Sequence, residues 1–427
     1  MLVWVTLRSS LWFVPATIVA ACVVLAVVLI EVDAAFDPDF LRRFPRLFGA
    51  GAEGTRGMLS AIAGAMITVA GVVFSVTIVA LSLTSSQYTS RALRNFTGDR
   101  SNQVVLGVFV GIYAYCLVVL RTIRGEDASG FVPSLATLGG VVLAFVGIAL
   151  LIHFIHHISR SIQASHILAA IHADTCRVID RLYPEPLGSR ADAEDHVAAA
   201  TAIREDRATI AATTTGYIQN VDAAALLALT RRSDVVIHLP HAIGDFVIAG
   251  ARLAEVAGMQ GDRDAIAKTL QRAVAIGPQR TAEQDISFGL RQIVDIALKA
   301  LSPAINDPTT ACTCLDYLSA LVGRLAQRDF PSPYRSANGT LRIIARRPSF
   351  PRLLDEAFEE IRLASATQPI VMRTLTIALS SVVGAAQDTA RRDAARALLA
   401  RVRDDAARLT DATWRNHLTA LADQAMA

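Results

Sequence analysis

Four long apolar runs occupy the first 155 residues, and none carries the alternating polar face of a soluble amphipathic helix. Leu11 to Ile30 supplies about twenty uncharged residues, enough to cross a hydrocarbon core of roughly 30 Å. Met58 to Leu83 is longer and also uncharged, so it must tilt or project beyond the bilayer. Val104 to Leu120 lies at the lower limit of length, and Phe131 to Ile155 completes the set. The pattern predicts about four transmembrane helices, over 11–30, 58–83, 104–120 and 131–155, within a membrane domain of residues 1–155. The first run is too long for a secretory signal and lacks a small-residue cleavage site.

Beyond Ile155 the pattern changes. A helix through Tyr183 forms a stalk, and Gly188 to Asp206, polar and Ala-rich, reads as a linker, so 156–206 is stalk and linker. Residues 207–262 read as a small β-rich module. TTTGYIQNVD and SDVVIHLP are β-branched runs separated by a short helix around Ala223 to Thr230, and GDFVIAGARLAEV gives a turn at Gly244-Asp245, a strand, a turn at Gly250 and another strand. Residues 263–427 read as a mainly helical cytoplasmic domain. In Arg280 to Gln327 two helices are joined by a tight break. Thr281 and Gln284 have capping-box spacing for the first helix, whose Ile286, Leu290, Ile293, Ile296, Ala297 and Leu301 share one face. Ser302-Pro303 ends it, and Asp307 before Pro308 suits the N-cap of the next. Leu341 to Ala345 is expected as an edge strand, and about four amphipathic helices follow from Phe350. The fold class is an α-helical integral membrane protein with a soluble α+β C-terminal half.

Composition supports the membrane reading. The 427 residues are 53% hydrophobic and 19% charged, with a mean hydropathy of +0.42, too apolar for an ordinary soluble enzyme. Net charge is only +3, and Lys268 and Lys299 are the sole lysines. No basic stripe is dense enough for nucleic acid. Four crossings put both ends on one side. Arginine is spread almost evenly over the two sets of loops: Arg42, Arg43, Arg46 and Arg56 in the first, Arg91, Arg94 and Arg100 in the second, Arg121 and Arg124 in the third. Loop charge therefore chooses no orientation. The unpaired cysteines of the soluble half, Cys176, Cys312 and Cys314, favour a reducing compartment, so both termini are placed in the cytoplasm of a bacterium with the spans in its inner membrane.

Within the spans, Gly64, Gly71, Ser75, Gly107, Gly111, Gly139, Gly140 and Gly147 form small-residue faces suited to close helix packing, within the chain or in a homo-oligomer. No Asp, Glu, Lys or Arg lies inside the four runs, so the buried charge that couples ions to a carrier is missing. Ser60, Thr68, Ser75, Thr77, Ser82 and Thr84 on the second span either line a pore between subunits or satisfy carbonyls of their own helix. His153, His156 and His157 close the fourth span, with His166 and His172 beyond. They offer a gate, a metal site or an interface, or they simply snorkel at the membrane boundary. Cys312 and Cys314 form a CxC that is either a metal or redox pair or two buried thiols on a helix. Arg280, Glu283, Asp285, Asn306, Asp307 and Thr309 are either a ligand, ion or subunit site or a set of helix caps. No Walker loop, Rossmann fingerprint, HExxH or GxSxG occurs in the soluble half.

SSQYTSRALRNFTGDRSNQVVLGVF at Ser85 to Phe109, FIHHISRSIQAS at Phe154 to Ser165, GDFVIAGARL at Gly244 to Leu253 and RTAEQDISFGLRQIVDIALKALSPAINDPTTA at Arg280 to Ala311 resemble an uncharacterised bacterial family of predicted membrane proteins, domain of unknown function 2254. The resemblance spans nearly the whole chain and implies membrane topology without an activity. G-D-x-V-x-x-G-x-x-L is also similar to the half-motif of biotinyl and lipoyl-like modules, but no lysine occupies the attachment hairpin, so no cofactor is expected. The uncharged spans and small-residue faces lead to the expectation of an oligomeric channel or pore gated by the cytoplasmic half. The alternative is a membrane-anchored scaffold or sensor that binds a partner or small ligand. The lipid bilayer and further copies of the chain are the expected partners. An enzyme is not expected, since no catalytic residue or metal site stands out.

Overall fold

The computed structural model describes residues 12–35, 51–87, 100–124, 131–161, 163–183, 207–259, 262–337 and 340–426. The expected linker at 188–206, the side chain of Thr84, and residues 88–99 of the second loop lie outside the described residues. Contacts divide the chain into two compact units, Met1–Ile167 and Leu168–Ala427.

The first unit contains helices α1 (Phe13–Ala35), α2 (Ala52–Gln87), α3 (Arg100–Thr122) and α4 (Ser134–Ser161). All four are long and apolar enough to cross a membrane. Their core is Leu59, Met66, Phe109, Ile112 and Tyr115, all buried. Valine, isoleucine and phenylalanine cover the outside, as at Val28, Phe74, Phe145 and Ile152, which is what a lipid solvent demands. Glycine sets the spacing between helices. A Cβ on Gly107 would lie 2.8 Å from Pro15 Cα, and one on Gly111 would lie 2.7 Å from Cys22 Sγ, so α1 rests directly on the backbone of α3. On α4, Gly139 and Gly147 leave room for Tyr115 and Met66 in the same way. The Tyr115 hydroxyl donates to the Ala136 carbonyl at 2.5 Å, which satisfies the buried phenol.

The helices extend past the uncharged runs, and charged residues close one end of the bundle. Asp33, near the end of α1, accepts from the Leu135 and Ala136 amides at 2.9 Å each and so supplies two acceptors to the start of α4. Arg56, near the start of α2, donates to the Ile123 carbonyl just past α3 at 2.8 Å. Backbone groups with no intrahelical partner are thereby satisfied at the helix ends.

The second unit opens with helix α5 (Ala164–Leu182), most of which belongs to it. Then come β1 (Arg207–Ala211), β2 (Gly216–Val221), α6 (Ala223–Ser233), β3 (Val236–Leu239), β4 (Phe246–Val247), β5 (Arg252–Ala257), α7 (Arg263–Ala273) and β6 (Val274–Gly277). The remainder is α8 (Ile286–Ala300), α9 (Pro308–Ala326), β7 (Tyr334–Ala337), β8 (Thr340–Ala345), α10 (Phe350–Ala364), α11 (Pro369–Ala385), α12 (Thr389–Ala406) and α13 (Ala412–Met426). One sheet has the order β1-β5-β3-β8-β7 and the other β4-β2-β6.

The β-rich segment expected over 207–262 does not close within those bounds, because β6, β7 and β8 join it from later in the chain. Strand β8 is interior rather than an edge: it runs parallel to β3 and antiparallel to β7. Its alternation explains the placement, since Leu341 and Ile343 are buried on one face. Ile210, Ile237, Leu253, Val256 and Ile343 pack beneath α6 and α7. The helical part is built on α8 and α9, whose inward residues Leu290, Ile293, Leu318 and Leu321 are fully buried. Thr175 of α5 packs on Gly289, where a Cβ would come within 2.2 Å of its hydroxyl. Asp side chains cap α6, α7, α8, α9 and α12, a recurrent solution to the unpaired amides of a helix start.

Glu255 pins the larger sheet. It is only 5% exposed and accepts from Arg207 at 2.8 Å and Arg252 at 2.7 Å, with His238 Nδ1 at 2.9 Å. These bonds, that of His238 foremost, hold its carboxyl down at about 2. A carboxyl held low stabilises the fold above its ordinary value near 4.5 and loses that contribution as pH falls toward 2. Glu255→Gln is expected to cost about 1 to 3 kcal/mol at neutral pH. Denaturation midpoints of variant and parent should converge across that acid window, and a gap undiminished at its lower end would contradict this role.

Candidate functional site

The residues singled out in the sequence fall into separate places. Arg280 and Asp285 meet as a two-pronged ion pair: Arg280 Nε donates to Asp285 Oδ2 and Nη2 to Oδ1, both at 2.8 Å. Asp285, 5% exposed, also caps α8 by accepting from the Phe288 amide at 3.0 Å. The Arg280 guanidinium lies 5.6 Å from the centre of the Phe288 ring. Burial pushes the Asp285 carboxyl above its ordinary range, partly offset by Arg280. Glu283 is exposed.

Asp307 lies beyond the far end of α8, where it caps α9 through the Thr310 amide and hydroxyl at 3.0 and 2.6 Å. These bonds, that to the hydroxyl first, hold its carboxyl low. A fifteen-residue helix is roughly 22 Å long, so the two aspartates do not form one site. Asn306, at φ +47°, makes the left-handed turn between the helices, and Thr309 is exposed. The expected capping box at Thr281 and Gln284 is not formed. Asp285 takes the cap, while Gln284 accepts from the Val221 amide at 3.1 Å and Thr281 donates to the Gln219 carbonyl at 3.3 Å, tying the segment to β2.

On α2, Ser60, Thr68, Ser75 and Ser82 face outward and Thr77 is half-buried. Thr68 and Thr77 donate to the Gly64 and Val73 carbonyls of their own helix at 2.8 and 2.7 Å. The rings of His153 and His157 stack at 6.0 Å, with His156 exposed. Cys314 is buried and Cys312 half-buried, and both are free thiols. Among the described residues no cluster of histidine, cysteine and carboxylate is suited to a metal.

The Arg280 pair is part of the wall of a cavity of about 410 Å³ in the second unit, a size in the usual range of small-molecule sites. Leu226 and Leu227 of α6, Leu239 of β3 and Ile343 of β8 make its apolar side. Gly244 and Asp245 form its turn. At φ +91°, a Cβ on Gly244 would lie 2.3 Å from Asp285 Oδ2, so only glycine lets the turn close on the ion pair. Arg352 and Glu356 of α10 stand on another wall, joined at 2.8 Å through Glu356 Oε1, while Glu356 Oε2 is buried without a hydrogen-bond partner. Arg335, Arg346 and Arg347 add further cations to the lining, beside His241, Gln284 and Ser287. Burial lowers the proton affinity of Arg347, and the adjacent charge of Arg335 lowers it further.

Of this lining, only Arg280 and Asp285 stood out in the sequence as candidate site residues; Gly244-Asp245 read as a turn, and Gln284 and Ile286 as parts of a helix start. The missed arginines carried one signal, the run Arg346-Arg347-Pro348 directly after a strand, which ends pairing and leaves two cations at a sheet end.

Gly244→Ala should destabilise the full chain in detergent by about 1 to 3 kcal/mol more than Gly250→Ala. Both glycines have positive φ, but nothing lies within 4 Å of a Cβ on Gly250. Equal shifts in thermal unfolding would show that the contact with Asp285 contributes nothing.

The family model described as "Predicted membrane protein (DUF2254)" matches residues 8–381. An uncharacterized protein of Mycobacterium bovis is 38% identical over 355 residues, 81% of this chain and 67% of its own length. Two uncharacterized proteins from strains of Mycobacterium tuberculosis are 38% and 37% identical over the same shares. No solved structure matches the chain. The chain belongs to this predicted membrane protein family.

Proposed function

We propose that this family member is a membrane-anchored sensor, not an enzyme, in which the four-helix unit holds the chain in a bacterial inner membrane and the second unit, with both termini, faces the cytoplasm. The observation that carries this reading is the cavity: a chamber of about 410 Å³ with apolar walls and arginine-rich polar groups, one of whose carboxylate oxygens lacks a donor. Concave sites that combine apolar walls with a few converging polar groups are typical of small-molecule binding. The lining comes from both sheets, α6, α10 and the start of α8, so an occupant would bias how these elements pack. The interior of the four-helix unit supports the anchoring part, since Phe109, Ile112 and Tyr115 fill it.

Native mass spectrometry of the full chain, released from the membranes that express it, is expected to show a retained small molecule. Leu227→Trp, which fills the cavity, should abolish that mass. A bare chain throughout, or a mass unaffected by Leu227→Trp, counts against the sensor.

A second reading, a pore between several copies, is favoured by the outward face of α2. Gly57, Ser60, Gly64, Thr68, Gly71 and Ser75 follow one another there at helical spacing, and a Cβ on Gly57, Gly64 or Gly71 would meet nothing within 4 Å. This reading requires the reconstituted chain to conduct ions, and Gly64→Leu with Gly71→Leu to abolish conduction by blocking close approach. The sensor reading predicts no conductance in planar bilayers for parent or variant.

A further inference from the structure

The cavity lining is unbalanced in charge. Five arginines face three carboxylates, from Asp245, Asp285 and Glu356. Arg280 is committed to Asp285 and Arg352 to Glu356. Two other arginines of this unit with little exposure are neutralised: Arg362 pairs with Glu359 and Asp405, and Arg391 with Asp388. Among the described residues, Arg335, Arg346 and Arg347 have no such ion pair. Arg346 is exposed, so water solvates it, but Arg335 and Arg347 are only partly exposed. Both line the cavity: Arg335 lies on β7 opposite Ile343 of β8, and Arg347 follows just past the end of β8.

Two neighbouring guanidiniums without a counter-ion repel each other in a site that also strips their water. An oxyanion between them would remove both costs, because the planar fork of each guanidinium matches two oxygens at once. Leu226, Leu227, Leu239 and Ile343 supply an apolar surface beside it. Building on the sensor reading, we propose that the cavity binds a small organic anion, a phosphate or carboxylate carried on an apolar body, with its oxygens clasped by Arg335 and Arg347.

Titration calorimetry on the full chain in non-ionic micelles tests this with four probes that share a ring and differ in charge: phenyl phosphate, benzoate, benzyl alcohol and phenyltrimethylammonium. The expected result is that one or both anions bind at least tenfold more tightly than the neutral and cationic probes, with the stronger anion naming the head group. Arg335→Gln with Arg347→Gln should weaken the anion at least tenfold and leave benzyl alcohol unchanged. Arg346→Gln, the same charge change at an exposed neighbour, should have a much smaller effect, which separates a specific clasp from general charge and from misfolding. If all four probes bind alike and Leu227→Trp blocks them, the cavity remains a ligand site and the anion assignment is wrong. If none of the four binds, the anion assignment fails, and the sensor reading fails with it only where native mass spectrometry also shows a bare chain.

Discussion

The second unit depends on the ion pair between Arg280 and Asp285. Asp285 does three things at once: it accepts both prongs of Arg280, caps α8 through the Phe288 amide, and seats against the Gly244 turn. A buried carboxylate with fewer partners would cost several kcal/mol, so each of the three contacts makes the others tolerable. The turn is in turn fixed to β2, since the Gly244 amide donates to the Ile218 carbonyl at 2.8 Å. Through this one pair the smaller sheet, the turn and the first core helix are locked to one another. The pair is part of the wall of the cavity that lies beside them.

The same requirement, that no polar group be left without a partner, shapes the first unit in a different solvent. Lipid offers no hydrogen bonds, so Tyr115 within the spans turns its hydroxyl to a carbonyl, and beyond the uncharged runs Asp33 and Arg56 serve the helix ends. Glycines on α3 and α4 bring backbones together inside the unit, while those on α2 face out. One residue type thus has two uses, and only the outward set is available to another molecule.

The chain's hydropathy made the four membrane helices legible, because twenty uncharged residues have few other stable solutions. Asp307 before Pro308 was legible too, as a local cap whose geometry needs no tertiary information. Thr281 and Gln284 were misread for the opposite reason: capping-box spacing is local, but β2, more than sixty residues earlier, competes for both side chains. The interior position of β8 likewise depends on a parallel partner about a hundred residues away. The cavity was least legible of all. Arg335, Arg352 and Glu356 carry no motif, Arg347 only the run Arg346-Arg347-Pro348, and they meet only where β7, β8 and α10 line one cavity with the turn at Gly244.

If the ion pair is the hinge between an occupied cavity and the helical core, its backbone should report occupancy directly. Hydrogen exchange of the full chain, with and without saturating phenyl phosphate, measures this at the amides of Gly244, Asp245 and Phe288. The predicted result is slower exchange at all three when the cavity is filled, with the amides of α13 unchanged. Exchange at the three that is indifferent to a bound ligand would contradict the central claim that the Arg280 and Asp285 pair couples the cavity to the fold.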